Sequence, residues 1–262
     1  MNMKQVCVPE KTKKLYKSYR IKLGFRILVL SAVIGICLLY PEELNVLKGM
    51  GFFQHFSSLH ILWGLWLWYM LEKLLPCKSI KPRGCMKYRK TEFQPTEAYL
   101  EASEEWKKEY YNQKAKADKG AFIVWLAWML VAVLLLLLRW WSILQEWELL
   151  ILSALFYVGD LVCILIWCPF RDVLMKNRCC TQCRIYNWDT MMLILPIVFI
   201  PGFFAYSLLS LALVNVGIWE LTYRRHPERF LPISNENLQC RSCKGELGCI
   251  KYDMLYLRVQ IN

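Results

Sequence analysis

Histidine is scarce, three residues in 262, so a bis-histidine haem is poorly supplied. His60 begins an apolar block and His55 lies just before it, where interfacial hydrogen bonding accounts for both. The chain has no nucleophile elbow, no glycine-rich phosphate loop, no zincin motif and no dinucleotide fingerprint, so the chemistries those motifs carry are not indicated. No internal repeat and no low-complexity segment is present. Acidic residues are the minority charge, 21 against 33 Lys and Arg, for a formal net charge of +12.

On a soluble domain that surplus would suggest a nucleic-acid partner. Here the apolar residues argue otherwise. They make up 56% of the chain, with a mean hydropathy of +0.27, and they gather into long blocks instead of short periodic runs. A helix crossing lipid needs about 20 consecutive apolar residues, because hydrocarbon offers the backbone no hydrogen-bond partners. Blocks at about 24–40, 59–75, 121–138, 149–167 and 191–221 approach or exceed that length. A transmembrane barrel would show weak alternation instead. The expected fold class is therefore an all-α polytopic membrane protein with four to five transmembrane helices, the last apolar block being broken by prolines.

The basic residues alternate between the loops. Residues 1–26 carry eight basic side chains and one acid, Glu10; loop 42–58 has only Lys48; loop 76–120 has eleven. Cytoplasmic loops carry the Lys/Arg excess, so the N-terminus, the inner loop 76–120 and loop 168–190 are expected in the cytoplasm. Orientation then explains the charge, the lipid bilayer is the implied partner, a membrane or cytoplasmic protein is a further one, and no nucleic acid is expected. More than twenty residues precede the first block and no small-x-small site follows it, so it reads as a retained span. With the compact loops, this points to a bacterial cytoplasmic membrane.

From Pro95 to Lys119 a charged helical pattern, with acids ahead of bases as the helix dipole prefers, is expected to run straight into the third span. Block 191–221 is harder. Its 31 residues would reach about 46 Å as a straight helix, against about 30 Å of hydrocarbon. Pro196 and Pro201-Gly202 should break it. It either crosses once with a kink or returns as a hairpin. The basic Arg224, Arg225 and Arg229 favour return, and two complete spans need about 40 residues, so a shallow hairpin is expected. The tail 222–262 reads as a small cysteine-bearing module ending in a strand, since Leu255, Leu257, Val259 and Ile261 alternate with polar residues.

Twelve cysteines are present, and seven fall in two clusters. Cys168 is followed by Cys179, Cys180 and Cys183; Cys240 and Cys243 are followed by Cys249. Two residues between cysteines let both thiolates face one ion. Cys180/Cys183 with Cys240/Cys243 would make a four-thiolate zinc site, leaving Cys168, Cys179 and Cys249 as extra ligands. An iron–sulfur cluster is the alternative cofactor, although the ferredoxin run of four cysteines with a following proline is absent. Neighbouring Arg178, Arg184, Arg241 and Lys244 would lower the thiol pKa values, which suits thiol–disulfide chemistry as well. A joint site requires both clusters on one face of the membrane.

Asp160 lies inside the fourth span, where an acid costs several kcal/mol unless paired or facing a cavity. It is either a functional group or a bundle-interior hydrogen-bond partner. Asn187-Trp188-Asp189-Thr190 looks like a helix cap with an interfacial tryptophan. Three readings follow. The first is a scaffolding or binding protein whose cytoplasmic face is stapled by a thiolate metal site. The second is a membrane electron-transfer protein with an iron–sulfur centre or reactive dithiol. The third is a small transporter that uses Asp160 and the proline-broken block.

Overall fold

In a computed structural model of the chain, residues 10–54, 56–74, 87, 90–177 and 182–239 are described. Among them the architecture is helical, with α1 (Glu10–Leu39), α2 (Leu59–Leu74), α3 (Glu97–Glu101), α4 (Glu104–Trp140), α5 (Glu146–Leu165), α6 (Asp189–Ile194) and α7 (Phe203–Arg225). Four of them, α1 from Tyr16 onward, α4, α5 and α7, are long and apolar enough to cross a membrane. The chain is a multi-pass, membrane-embedded helical bundle.

Local signals set the helix ends. The Ser103 hydroxyl accepts the Trp106 N–H at 3.2 Å, while Glu104 and Glu105 occupy the first turn of α4 and Arg139 its last, as capping and the helix dipole favour. At the start of α5 the Glu148 carboxylate accepts the Gln145 N–H at 2.7 Å. The expected single helix from Pro95 into the third span is in fact two. Ala102 adopts a left-handed conformation (φ 48°) between them. Thr96 starts α3, its hydroxyl accepting from the Tyr99 N–H at 3.2 Å and donating to the Ile233 carbonyl at 2.7 Å. That second bond straps the tail onto the loop, while the break itself lies at Ala102 and at Ser103, which starts a new helix.

Helix α1 lies along α5, α2 along α7, and α6 against both α5 and α7. Trp66, Leu149, Leu150, Ile194, Ile197 and Phe204 are fully buried where they meet. Helix α4 is sparsely covered. Leu130, Val133, Leu134 and Leu137 along it are exposed, a surface that fits lipid, which is as apolar as leucine.

The last apolar block returns, and by a deeper hairpin than expected. Helix α6 ends before Pro196, a 3-10 turn covers Ile197–Phe199, and Pro201-Gly202 reach the loop between α1 and α2. There the Gly49 N–H donates to the Pro201 carbonyl at 2.8 Å and the Phe203 N–H to the Gly49 carbonyl at 3.3 Å. Gly202 is required by this close approach, since a Cβ on it would stand 2.1 Å from the Leu47 carbonyl oxygen. Helix α7 then descends. Two features let one limb be shorter than the roughly 20 residues of a straight span. It starts at Asp189, already inside the bundle beside Asp160 and Tyr69, and its 3-10 turn rises about 2.0 Å per residue against 1.5 Å in an α-helix.

The described tail therefore ends on the side where α1 begins. Glu236 N–H donates to the Gln94 carbonyl at 2.8 Å, and Asn237 Nδ2 to the Glu92 carbonyl at 2.6 Å. The strand expected over 255–261 and the rest of the cysteine-bearing module lie outside the described residues.

Candidate functional site

The site is built from polar residues that successive apolar elements carry to one depth. Arg26 on α1 donates through Nη1 to Asp160 Oδ2 on α5 at 2.9 Å and to the Tyr157 carbonyl at 2.5 Å. Its guanidinium lies 4.0 Å from the Tyr157 ring centroid and 4.9 Å from that of Tyr69. Tyr69 on α2 points its hydroxyl at Asp160 Oδ2, 3.1 Å away, and also at Asp189 Oδ2 at the start of α6. One turn further along α2, Lys73 pairs with the same Asp189 oxygen, with its ammonium 4.6 Å from the Tyr69 ring. Two carboxylates on separate elements thus share one phenolic proton, and each has its own cation.

These groups line a cavity of about 310 Å³, whose wall also includes Lys22, Trp68, Glu72, Asn215, Ile218 and Trp219. Among the described residues its acidic and basic side chains are three cations, Lys22, Arg26 and Lys73, and three acids, Glu72, Asp160 and Asp189. Two residues of this wall each carry a buried oxygen that has no partner among the described residues. Asn215 is 1% exposed, and its amide nitrogen donates to the Met70 and Leu211 carbonyls, both at 3.2 Å. That fixes the amide orientation and leaves Oδ1 buried without a partner. Asp189 Oδ1 is in the same condition.

A second cavity of about 410 Å³ adjoins the first, and Asp160 and Asp189 line both. Its other walls are mainly apolar, among them Trp128, Phe156, Phe170 and Met192, and they include Cys163, Cys168 and Cys183. Cys168 Sγ accepts the Arg171 N–H at 3.4 Å. Cys183 is buried in an apolar cluster with Ala121, Val124 and Ile185, its Sγ 3.7 Å from Met175 Sδ. Cys179, Cys180, Cys240, Cys243 and Cys249 lie outside the described residues. Among the described residues no three metal-ligating side chains converge. The chain segments that carry the two clusters do approach each other. Gln182 Nε2 donates to the Leu238 carbonyl at 3.4 Å, one residue before Cys183 and two before Cys240.

Below the cavity a second charged group ties the loop after α5 to α4 and α7. Arg184 donates to both Glu220 oxygens at 2.6 and 2.5 Å, stacks 3.7 Å from the Tyr223 ring, and lies 3.7 Å from Asp118. Burial opposes its charge, but the Glu220 hydrogen bonds outweigh that and hold its pKa above the ordinary arginine value. Trp188 Nε1 also donates to Glu220, at 2.8 Å.

Of the residues singled out in the sequence, Asp160 is at the centre of the site. Asp189 had looked like a helix cap. In the structure Trp188 occupies the cap position and the Asp189 carboxylate turns to Lys73 and Tyr69. Arg26, counted with the orienting charges, falls inside the first apolar block, and a charge at such depth is itself a signal. Lys73, two residues from the end of the block 59–75, carries the same signal, whereas Tyr69 and Asn215 bear no charge to mark them.

No protein-family model, curated protein or solved structure matches the chain.

Proposed function

We propose that the chain is a small membrane carrier that binds a polar solute in the charged cavity, with Asp160 and Asp189 as coupled acceptors on either side of Tyr69. One observation carries this reading: two carboxylates from different crossing elements converge on one phenol beside a cavity. Ion pairs buried this way are not an economical source of stability, since apolar residues of similar volume often do as well or better. Ionisable groups at membrane depth typically mark solute or proton pathways.

The broken limb supports the same reading. Discontinuous helices form the binding sites of many transporters, and here the discontinuous element begins at Asp189 itself. Helix α6 is short and ends at a proline, so displacing it breaks few backbone hydrogen bonds. When Tyr69 donates to Asp160, Asp189 keeps Lys73; when it donates to Asp189, Asp160 keeps Arg26. Solute binding at Asp189 would bias that choice and thereby move α6. By the excess of Lys and Arg, the end holding the start of α1 and the described tail faces the cytoplasm, in a bacterial cytoplasmic membrane.

The test is current recording on proteoliposomes challenged in turn with amines, carboxylates, zwitterions, sugars and metal ions. At least one class should evoke a current or flux that is lost in Asp160→Asn and kept in Glu104→Gln, a change on the exposed face of α4. Silence to every class overturns the carrier.

The contact of Gln182 with Leu238 favours a second reading, in which cysteines of the two clusters share a zinc ion that staples the loop to the tail. Such a site would add folding free energy to a short loop and a small tail. Stoichiometric zinc in the purified protein supports it, absorbance near 400 nm that bleaches with dithionite turns it into an iron–sulfur centre, and absence of both metals rejects it.

A further inference from the structure

We infer that the solute taken by the charged cavity is a small zwitterion, an ammonium and a carboxylate on one molecule; this rests on the carrier reading above. Charge balance is the first argument. Among the described residues the acidic and basic side chains of the cavity wall are equal in number, three of each. A simple cation or anion entering it would bring an uncompensated charge into a low-dielectric site, at a cost that buried charges do not recover unless paired. A ligand with zero net charge and two separated poles adds no such excess.

The second argument is the pair of unpartnered oxygens. A buried acceptor without a donor is costly, and two residues of this wall each carry one, Asn215 Oδ1 and Asp189 Oδ1. Neither is relieved from within the described residues, and the Asn215 amide cannot flip without losing the bonds to Met70 and Leu211. An ammonium has three N–H donors and a positive charge, which suits acceptors of both kinds, a carboxylate oxygen and an amide oxygen. The aromatic wall, including Trp68, Tyr69, Tyr157 and Trp219, favours a cationic pole through ring quadrupoles.

The third argument concerns the opposite pole. Arg26 and Lys73 are engaged by Asp160 and Asp189. Lys22 is not. It stands exposed on α1 at the cavity wall, resting near the Tyr19 ring at 5.7 Å, with no ion pair among the described residues. It is one turn of α1 away from Arg26, where a carboxylate whose ammonium lies deeper would emerge. The ligand therefore enters ammonium first, meets Asn215 and Asp189 with that end, and leaves its carboxylate to Lys22.

The test is direct binding to the full chain in lipid nanodiscs, with radiolabelled L-alanine and L-phenylalanine as two zwitterions of different bulk. Ethylamine and propionate serve as single-pole analogues of the first, phenethylamine and 3-phenylpropionate of the second. At least one amino acid should bind saturably, and at least tenfold tighter than its two analogues. Lys22→Gln, at an exposed position that leaves the fold intact, should weaken amino-acid binding about tenfold and bring it level with the amine. Asn215→Leu should weaken the amino acid and the amine alike, with elution profile and thermal midpoint reporting on its folding. Absence of saturable binding by both amino acids overturns the inference, as does an analogue that binds as tightly, or a Lys22→Gln protein that binds like the parent. If another class drives an Asp160-dependent current while neither amino acid binds, the carrier stands and the zwitterion falls. If an amino acid binds but no solute moves, the carrier falls and the site remains a zwitterion-binding one.

Discussion

A carboxylate inside hydrocarbon must be paired, and Asp160 is held by a guanidinium and a phenol that lie 134 and 91 residues away in sequence. Removing one partner is worse than removing both, because it strands a buried charge. Arg26→Leu should therefore cost about 3–5 kcal/mol, read as a lower thermal midpoint in detergent. The double change of Arg26→Leu with Asp160→Leu should recover most of that loss. Equal midpoints for the single and double variants would show the pair to be uncoupled. Gly202 makes a second prediction at this scale. The Cβ of Gly202→Ala would meet the Leu47 carbonyl at 2.1 Å, backbone that cannot yield as a flexible side chain would. Such overpacking costs about 1–3 kcal/mol, so the midpoint should fall, and an unchanged midpoint would show that the chains part freely there. Asp160 was visible in the sequence because one acid in an apolar run is conspicuous. Asp189 was not, because an acid at the edge of an apolar block has a sufficient local explanation as a cap.

Elements are joined at their ends by polar contacts that the apolar blocks do not specify. Glu43, in the turn Pro41–Leu47 before α2, accepts from the Ser57 hydroxyl and from the N–H and hydroxyl of Ser58, the latter two at 2.9 Å. The Ser57 bond first, then those of Ser58, hold its pKa below the ordinary glutamate value. A carboxylate lowered in the folded state stabilises the fold above its unfolded pKa, about 4.3 for glutamate. That contribution is lost as pH falls through the lowered folded value. The thermal midpoint should thus decline on acidification from pH 5 toward pH 3, and the decline should be shallower in Glu43→Gln. Parallel curves would remove Glu43 from the account. Helix length follows the same logic. A charged pattern from Pro95 onward predicted one helix, but Thr96 bonds both its own first turn and the tail at Ile233. The tail partner fixes where α3 begins, and the left-handed Ala102 with the Ser103 cap marks where it breaks from α4.

At the scale of the whole molecule, the broken limb decides topology. Its return puts the described tail on the side where α1 begins, and the hairpin tip against the loop between α1 and α2. Epitopes placed before Glu10 and after Gln239 should therefore be cleaved or labelled from the same side of intact membranes. One inserted after Ser142, in the turn between α4 and α5, should respond only from the other. A tag after Gln239 that responds with the Ser142 tag would dismiss the hairpin, and with it any shared site for the two cysteine clusters. In the sequence, Arg224, Arg225 and Arg229 after the block favour return, although the depth of the hairpin is not legible there. Composition says that a block is greasy and where prolines interrupt it, while the contact of Pro201 with Gly49 joins points more than 150 residues apart.

The sequence alone determined the class of this protein: an α-helical chain with several crossings. Burial in lipid depends on the summed apolar surface of consecutive residues and on backbone bonds within each helix, both local quantities. Only the tertiary structure decided that Arg26, Tyr69, Lys73, Asp160, Asp189 and Asn215 surround one cavity. They lie on five separate stretches of chain, Tyr69 and Lys73 sharing one, and their meeting depends on which helices pack together and at what height. That height was set by two glycines, two prolines and a short 3-10 turn, through contacts no local pattern encodes.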